Sequence, residues 1–257
     1  ARMTYIAEGG QTGWEMNYQS VDGENVRGPW VQEGLWETDH PERPAWSLPP
    51  LKHVSSGPSG LTTYPGQGLP DRYKDHLFMC DFTGSPTNSS VLAMQMVPDG
   101  AGFRVEDVHP FVSGILCTDV DFNWDGSMVV SDWVQGWEGS ETGRLIVLSS
   151  DEQAEDLELQ KTAQLIAQGI KHRETSELLS LLSHPDMRIR QRAQFVLADR
   201  GETSIQPLAV IAQDVNAEQM ARIHSLWCLG MIARYGDYQV GDASHPLAAV
   251  MEVTEDP

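Results

Sequence analysis

The feature that most limits this chain is a change of hydrophobic period near residue 150. Before it, apolar residues alternate with polar ones in short runs broken by Gly, Pro, Asn and Asp, as strands require. After it, they recur at helical spacing. One regular layer cannot serve both patterns. The chain therefore divides into an all-β part, residues 1–150, and an all-α part, residues 151–257. The joint is Phe111–Leu148. There Thr118, Val120 and Phe122 alternate with Asp119, Asp121 and Asn123, and Asp125-Gly126 offers a hairpin turn, because Gly adopts positive φ without steric cost. Met128-Val129-Val130 leads back out, and Leu145–Leu148 reads as a third, buried strand.

Upstream the same logic repeats. Met3–Ala7, Leu77–Phe82, Val91–Met96 and Phe103–Val108 read as strands and Gly57–Tyr64 as a turn then a strand, separated by turns such as Gly84-Ser85-Pro86 and Pro98-Asp99-Gly100. Four strands joined by short turns are the content of one propeller blade. Residues 1–56 carry a glycine-rich turn ending in Trp14, then Trp30, Trp36 and Trp46 among prolines, which is too aromatic for a linker. Core packing is the first use expected of these rings, and lining a groove the second.

Downstream, Leu157, Leu159, Ala163, Leu165 and Ile166 mark one amphipathic helix. Thr175–Leu182 is a helix that stops at His184-Pro185, and Asp186 caps the next one, to Gly201. A helix over Ser204–Val215 and another capped by Asn216 repeat the arrangement. Arg190, Ala193, Phe195 and Leu197 fall on Arg222, Ser225, Trp227 and Leu229 with one shift of 32 residues. A fixed period of helix pairs is the mark of an α-solenoid, and Gly241–Pro257 reads as a further pair cut short. At this shared position Arg190 and Arg222 are expected to pair with acidic groups of neighbouring turns.

The formal net charge is −20, which repels a phosphate backbone and excludes nucleic acid as a partner. No apolar run is long enough to span a membrane. The three cysteines, Cys80, Cys117 and Cys228, have no zinc or haem spacing and read as small buried hydrophobes. Asp121, Asn123 and Asp125, with Asp132 further on, follow the alternate spacing by which oxygen ligands wrap a calcium ion, although the same residues are ordinary hairpin chemistry. Trp14 with Glu15, and Glu8 nearby, could hold a sugar by stacking and hydrogen bonding, beside the plainer use of a solvated loop. His53, His76 and His109 have no metal-pair spacing and read as loop histidines, with His76 beside Asp75 as the one that could act as base or ligand. Ser59 lacks the spacing of a nucleophile turn.

The segments SGPSGLTTYPGQGLPDRYKDHLFMCDF, TDVDFNWDGSMVVSDW and GRLIVL resemble the last blades of glucose/sorbosone dehydrogenase-type propellers, and GGQTGWEMNYQ resembles their glycine-rich turn. HPDMRIRQRAQFVLADRG and MARIHSLWCLGMIARYG resemble HEAT repeats. That order is similar to the multidomain dehydrogenase-like proteins of planctomycetes and verrucomicrobia. The resemblance implies a multidomain fragment: a partial β-propeller of four-stranded antiparallel blades over 1–150, then a truncated HEAT-repeat solenoid over 151–257. It implies a parent that oxidises a sugar or related alcohol, exported to the periplasm or secreted. The catalytic base would lie upstream of this piece, and electrons would pass to a c-type haem domain that is not in this sequence. It also implies pyrroloquinoline quinone held by arginines of an Arg-Ile-Arg-Asp segment. Here that segment is Leu116-Cys117-Thr118-Asp119, which argues against the standard quinone pose. The other reading is a non-catalytic propeller and solenoid that bind a glycan or a partner protein.

Overall fold

The computed structural model describes residues 2–6, 50–136, 141–236 and 245–248. The expectations placed on Glu8, Trp14, Glu15, Trp30, Trp36 and Trp46 lie outside them. The chain forms two compact units drawn from alternating segments. One comprises residues 1–63, 74–121 and 129–146, the other 64–73, 122–128 and 147–257.

The first unit holds most of the strands. β1 (Arg2–Met3) pairs antiparallel with β2 (Lys52–His53). β3 (Pro58–Thr63), β4 (His76–Asp81), β5 (Ser90–Asp99) and β6 (Gly102–Ser113) form a four-stranded antiparallel meander in sequence order. Met79, Leu92, Met94 and Val105 are buried on it, with Met3, Leu51 and Val108 packed against them. β6 runs past Val108, where the alternation was expected to stop. It is an edge strand, so Pro110 can sit in it without breaking a ladder on its outer side. The register slips between Ala93 and Gln95, opposite a bulge at Asp107, whose φ is +45°.

β7 (Cys117–Phe122), β8 (Met128–Asp132) and β9 (Arg144–Leu148) make a three-stranded sheet in that order. The burial of β7 follows its alternation, with Val120 and Phe122 inside and Asp119 and Asp121 outside. β9 departs from expectation. It is an edge strand, and Leu145 and Val147 are 71 % and 60 % exposed. An unbroken apolar run does not reveal which of its faces is covered. Gly60 in β3 is required by close approach: a Cβ there would lie 2.5 Å from the Asp119 Cα and 2.8 Å from the Val120 nitrogen of β7.

The second unit is mainly helical. α1 (Asp151–Ala154) precedes α2 (Leu157–Gln168), which Asp156 caps by accepting from the Glu158 N–H at 2.8 Å. α3 (Thr175–Ser180) ends in a tight turn at Leu181–Ser183. α4 (Met187–Asp199), α5 (Glu202–Gln213) and α6 (Gln219–Tyr235) follow. Leu178, Leu182, Leu197, Leu208, Leu229 and Ile232 form the core of this unit. The shift of 32 residues reappears in burial: Ala193 and Ser225 are inside, Leu197 and Leu229 are inside, and Phe195 and Trp227 are both about half exposed.

Asp186 caps α4 as its sequence position suggested, accepting from the Arg188 N–H at 2.8 Å. Asn216 does not cap α6, which begins at Gln219. Its N–H donates instead to Asp214 Oδ1 at 2.9 Å. Arg190 gives its guanidinium to the carbonyls of His184 and Pro185 at 2.6 and 2.9 Å, and Arg222 donates to the Ala212 carbonyl at 3.3 Å. The hydrogen bonds found go to main-chain oxygens at the ends of helical turns, where carbonyls are left unbonded, and Asp186 acts electrostatically on Arg190 as well.

Candidate functional site

In the first unit, the site grows from the end of β8. Asp132 is 2 % exposed, and its Oδ1 accepts two main-chain donors, Leu116 N–H at 2.9 Å and Val134 N–H at 3.0 Å. Its Oδ2 accepts from Arg144 Nε at 2.7 Å. Burial alone would raise this carboxyl. The Val134 N–H, the Arg144 guanidinium and the Leu116 N–H together outweigh it and hold the group below the ordinary carboxylate value.

The next two residues carry the consequence. Trp133 N–H donates to the Leu116 carbonyl at 2.9 Å, and Gln135 N–H donates to the Trp133 carbonyl at 3.0 Å. Between them Val134 has φ +73°. A bond from residue i to i+2 around a positive φ is a γ-turn, a rare and strained conformation, and a β-branched residue suits it poorly. Asp132 Oδ1 holds that turn by its centre. As a result the chain leaves the sheet abruptly, and the Trp133 indole stands 48 % exposed, edge-on to Phe82 at 6.5 Å between centroids.

Two depressions share Trp133 and Thr118. One, of about 580 Å³, is bordered by Ser131, Asp132, Glu141 and Arg144; the other, of about 560 Å³, by Ser56, Ser59 and Phe82. Both are in the size range of small-molecule sites. Thr118 Oγ1 and Ser131 Oγ lie 2.8 Å apart and Ser59 Oγ donates toward the Cys117 carbonyl at 3.5 Å, so each depression presents hydroxyls. The arrangement is a half-open aromatic shelf bordered by hydroxyls, one exposed carboxylate and one guanidinium. Among the described residues it contains no nucleophile–base pair.

The proposed calcium ligands have other work. Asp121 Oδ1 accepts from Thr62 Oγ1 at 3.2 Å. Asp125 Oδ1 accepts the Ser127 N–H at 3.0 Å and its hydroxyl at 2.6 Å, and Asn123 Nδ2 donates to Ser127 Oγ at 3.0 Å. These are the bonds of the turn that Gly126, at φ +84°, completes. Asp132 is engaged as described. Among the described residues no three His, Cys, Asp or Glu are gathered to hold a metal ion. The quinone's arginine segment fares similarly. Leu116 and Cys117 are fully buried, Thr118 faces Ser131, and Asp119 Oδ1 accepts from the Val120 N–H at 2.9 Å. These four side chains offer a quinone no guanidinium.

His53 is exposed on β2. His76 and His109, far apart in sequence, are brought together by Asp107. Its Oδ2 is 3.3 Å from His76 Nε2 and its Oδ1 is 3.3 Å from His109 Nδ1. The bulge aims this carboxylate, and nothing in the sequence marked it. Trp133 and Val134 were missed for a different reason: an exposed indole and a core indole look alike in a strand-like run.

The helical unit has a depression of its own, of about 530 Å³, where Trp124 is 56 % exposed beside Gly126, Leu159, Gln160 and Gln164. Arg188 Nη1 fixes this turn by donating to the carbonyls of Phe122 and Asn123 at 3.3 and 2.5 Å. No family model, curated protein or solved structure matches this chain.

Proposed function

We propose that the sheet unit binds a saccharide or a related small polyol on the Trp133 shelf. One observation carries the reading: a half-exposed indole, on a main chain pinned by Leu116 and Asp132, is shared by two depressions that both present hydroxyls. A pyranose presents an apolar C–H face and a rim of hydroxyls, and such a shelf offers a partner for each. Arg144 and Glu141 add a donor and an acceptor at one edge.

The larger setting rests on the sequence resemblance. In it, the chain is the end of a dehydrogenase-like propeller followed by HEAT-type helix pairs, exported from the cytoplasm. The parent oxidises a sugar or alcohol through a base upstream and passes electrons to a haem domain. The absent arginines favour binding over quinone chemistry for this piece.

The test is a calorimetric titration of the chain with a panel of mono- and disaccharides and polyols. Binding in the millimolar range or tighter is expected, lost in Trp133→Ala and kept in Trp124→Ala. No binding by any member of the panel would overturn the reading.

A further inference from the structure

We propose that Cys80 and Cys117 are a disulfide-forming pair that can tie β4 to β7. The strand register brings them together. Cys80 pairs with Val91 and Asp81 with Ser90 across β4 and β5, and the Cys117 thiol donates to the Ser90 carbonyl at 3.2 Å. Cys117 therefore sits against the cross-strand partner of the residue that follows Cys80. β3 supports the approach from the other side: Ser59 Oγ reaches the Cys117 carbonyl, and Gly60 leaves room for the β7 main chain two residues further on. Both thiols are fully buried, and each acts on the other electrostatically. Cys228 lies in the helical core, its thiol donating to the Gln194 carbonyl at 3.3 Å.

The two thiols are not equivalent. Cys80, ahead of all other influences, lowers Cys117, whereas Cys117 and then burial push Cys80 far up. Cys117 is the attacking group. Its thiolate attacks one sulfur of a small-molecule disulfide, forming a mixed disulfide and releasing one thiolate. The Cys80 thiolate then attacks the Cys117 sulfur and releases the second. The two cysteine protons end on the two released thiols, and the small disulfide is the oxidant. Because both sulfurs are buried, exchange proceeds while the sheet is still forming or when it opens locally.

The test uses the full chain carrying Cys228→Ser, refolded from urea with glutathione disulfide and glutathione, or with reductant alone. Peptide mapping without reduction is expected to recover one linked pair containing Cys80 and Cys117, which separates on reduction. Closing a loop of about 40 residues should raise the melting temperature of the sheet unit by on the order of 10 °C over the reduced form. Recovery of both cysteines as free thiols or as separate glutathione adducts would overturn the proposal. So would a link that lowers the melting temperature, since the folded geometry would then not hold the bond.

Discussion

Removing the Asp132 carboxylate should cost far more than removing its charge. Asp132→Ala strips an acceptor from the Leu116 N–H, which is buried, and from the Val134 N–H, which is partly buried. Each charge-assisted bond contributes about 1.5–3 kcal/mol, so the loss is roughly 3–4 kcal/mol once the more accessible one is discounted. Asp132→Asn keeps an oxygen for both donors and loses charge assistance, for about 1–2 kcal/mol. Arg144 is more than half exposed, so Arg144→Ala should cost less than about 1 kcal/mol. The assay is urea unfolding followed by fluorescence and checked by hydrogen exchange over 116–134. The γ-turn adds a second readout. Asp132→Ala should release Val134 from its strained conformation and weaken saccharide binding, although Asp132 acts there only by positioning Trp133. Acid gives a third. Because the folded carboxyl titrates below its unfolded value, its contribution is complete above about pH 4 and is lost as pH falls through the lower folded value. Equal losses in Asp132→Ala and Asp132→Asn would refute the hydrogen-bond reasoning and place the weight on charge, as a metal ligand would.

Two further outcomes concern the helical unit. His224 Nδ1 lies 2.7 Å from Gln194 Oε1 and its Nε2 lies 3.3 Å from Arg190 Nε, an arrangement that needs Nδ1 to donate and a neutral Nε2 to accept. Burial first, then the Arg190 charge, lowers this imidazole to about 4. The unfolded chain therefore binds the extra proton first, and stability should fall as pH drops from about 6.5 to about 4, by on the order of 3 kcal/mol in all; His224→Gln should flatten that slope in pH-dependent melting. The Ser225 hydroxyl is buried with no hydrogen-bond partner among the described residues, at the position where the preceding repeat has Ala193. Ser225→Ala should therefore stabilise by up to about 1 kcal/mol, seen as a raised helical melting point, whereas a lowered one would mean that the hydroxyl is bonded.

Periodicity carried much of the local structure. The strands around Phe78, Val91 and Val120 and the helices around Ala163, Leu197 and Leu229 lie where the spacing put them, because burial on one face is recorded residue by residue. Asp186 was legible as a cap because a cap acts within one turn of itself. Leu145 and Val147 were not legible as exposed, because an apolar tetrapeptide carries no record of what lies over it. The carbonyl partners of the arginines were hidden for a related reason. Arg190 and Arg222 reach carbonyls, which every residue has, so no side-chain pattern can announce them.

The candidate site illustrates the same limit at longer range. Each contact that makes Trp133 a shelf joins residues whose adjacency exists only after the sheets form: Asp132 with Leu116, Thr118 with Ser131, Trp133 with Phe82. The calcium spacing at Asp121, Asn123 and Asp125 was visible because it is local, and Asn123 and Asp125 are bonded locally, to Ser127, whereas Asp121 takes Thr62 from another strand. A pattern readable within a few residues is one that a turn can use up by itself. The Val134 strain points the other way. A β-branched residue at φ +73° persists only if bonds hold it, and here the enclosed Asp132 carboxylate, itself anchored to the Leu116 N–H and Arg144, accepts the Val134 N–H. Strain of this kind has no use in packing a core, where any small residue would serve better. Its effect here is to turn an indole outward between two depressions, which is why Trp133, rather than the better-exposed Trp124, is the ring on which the binding proposal rests.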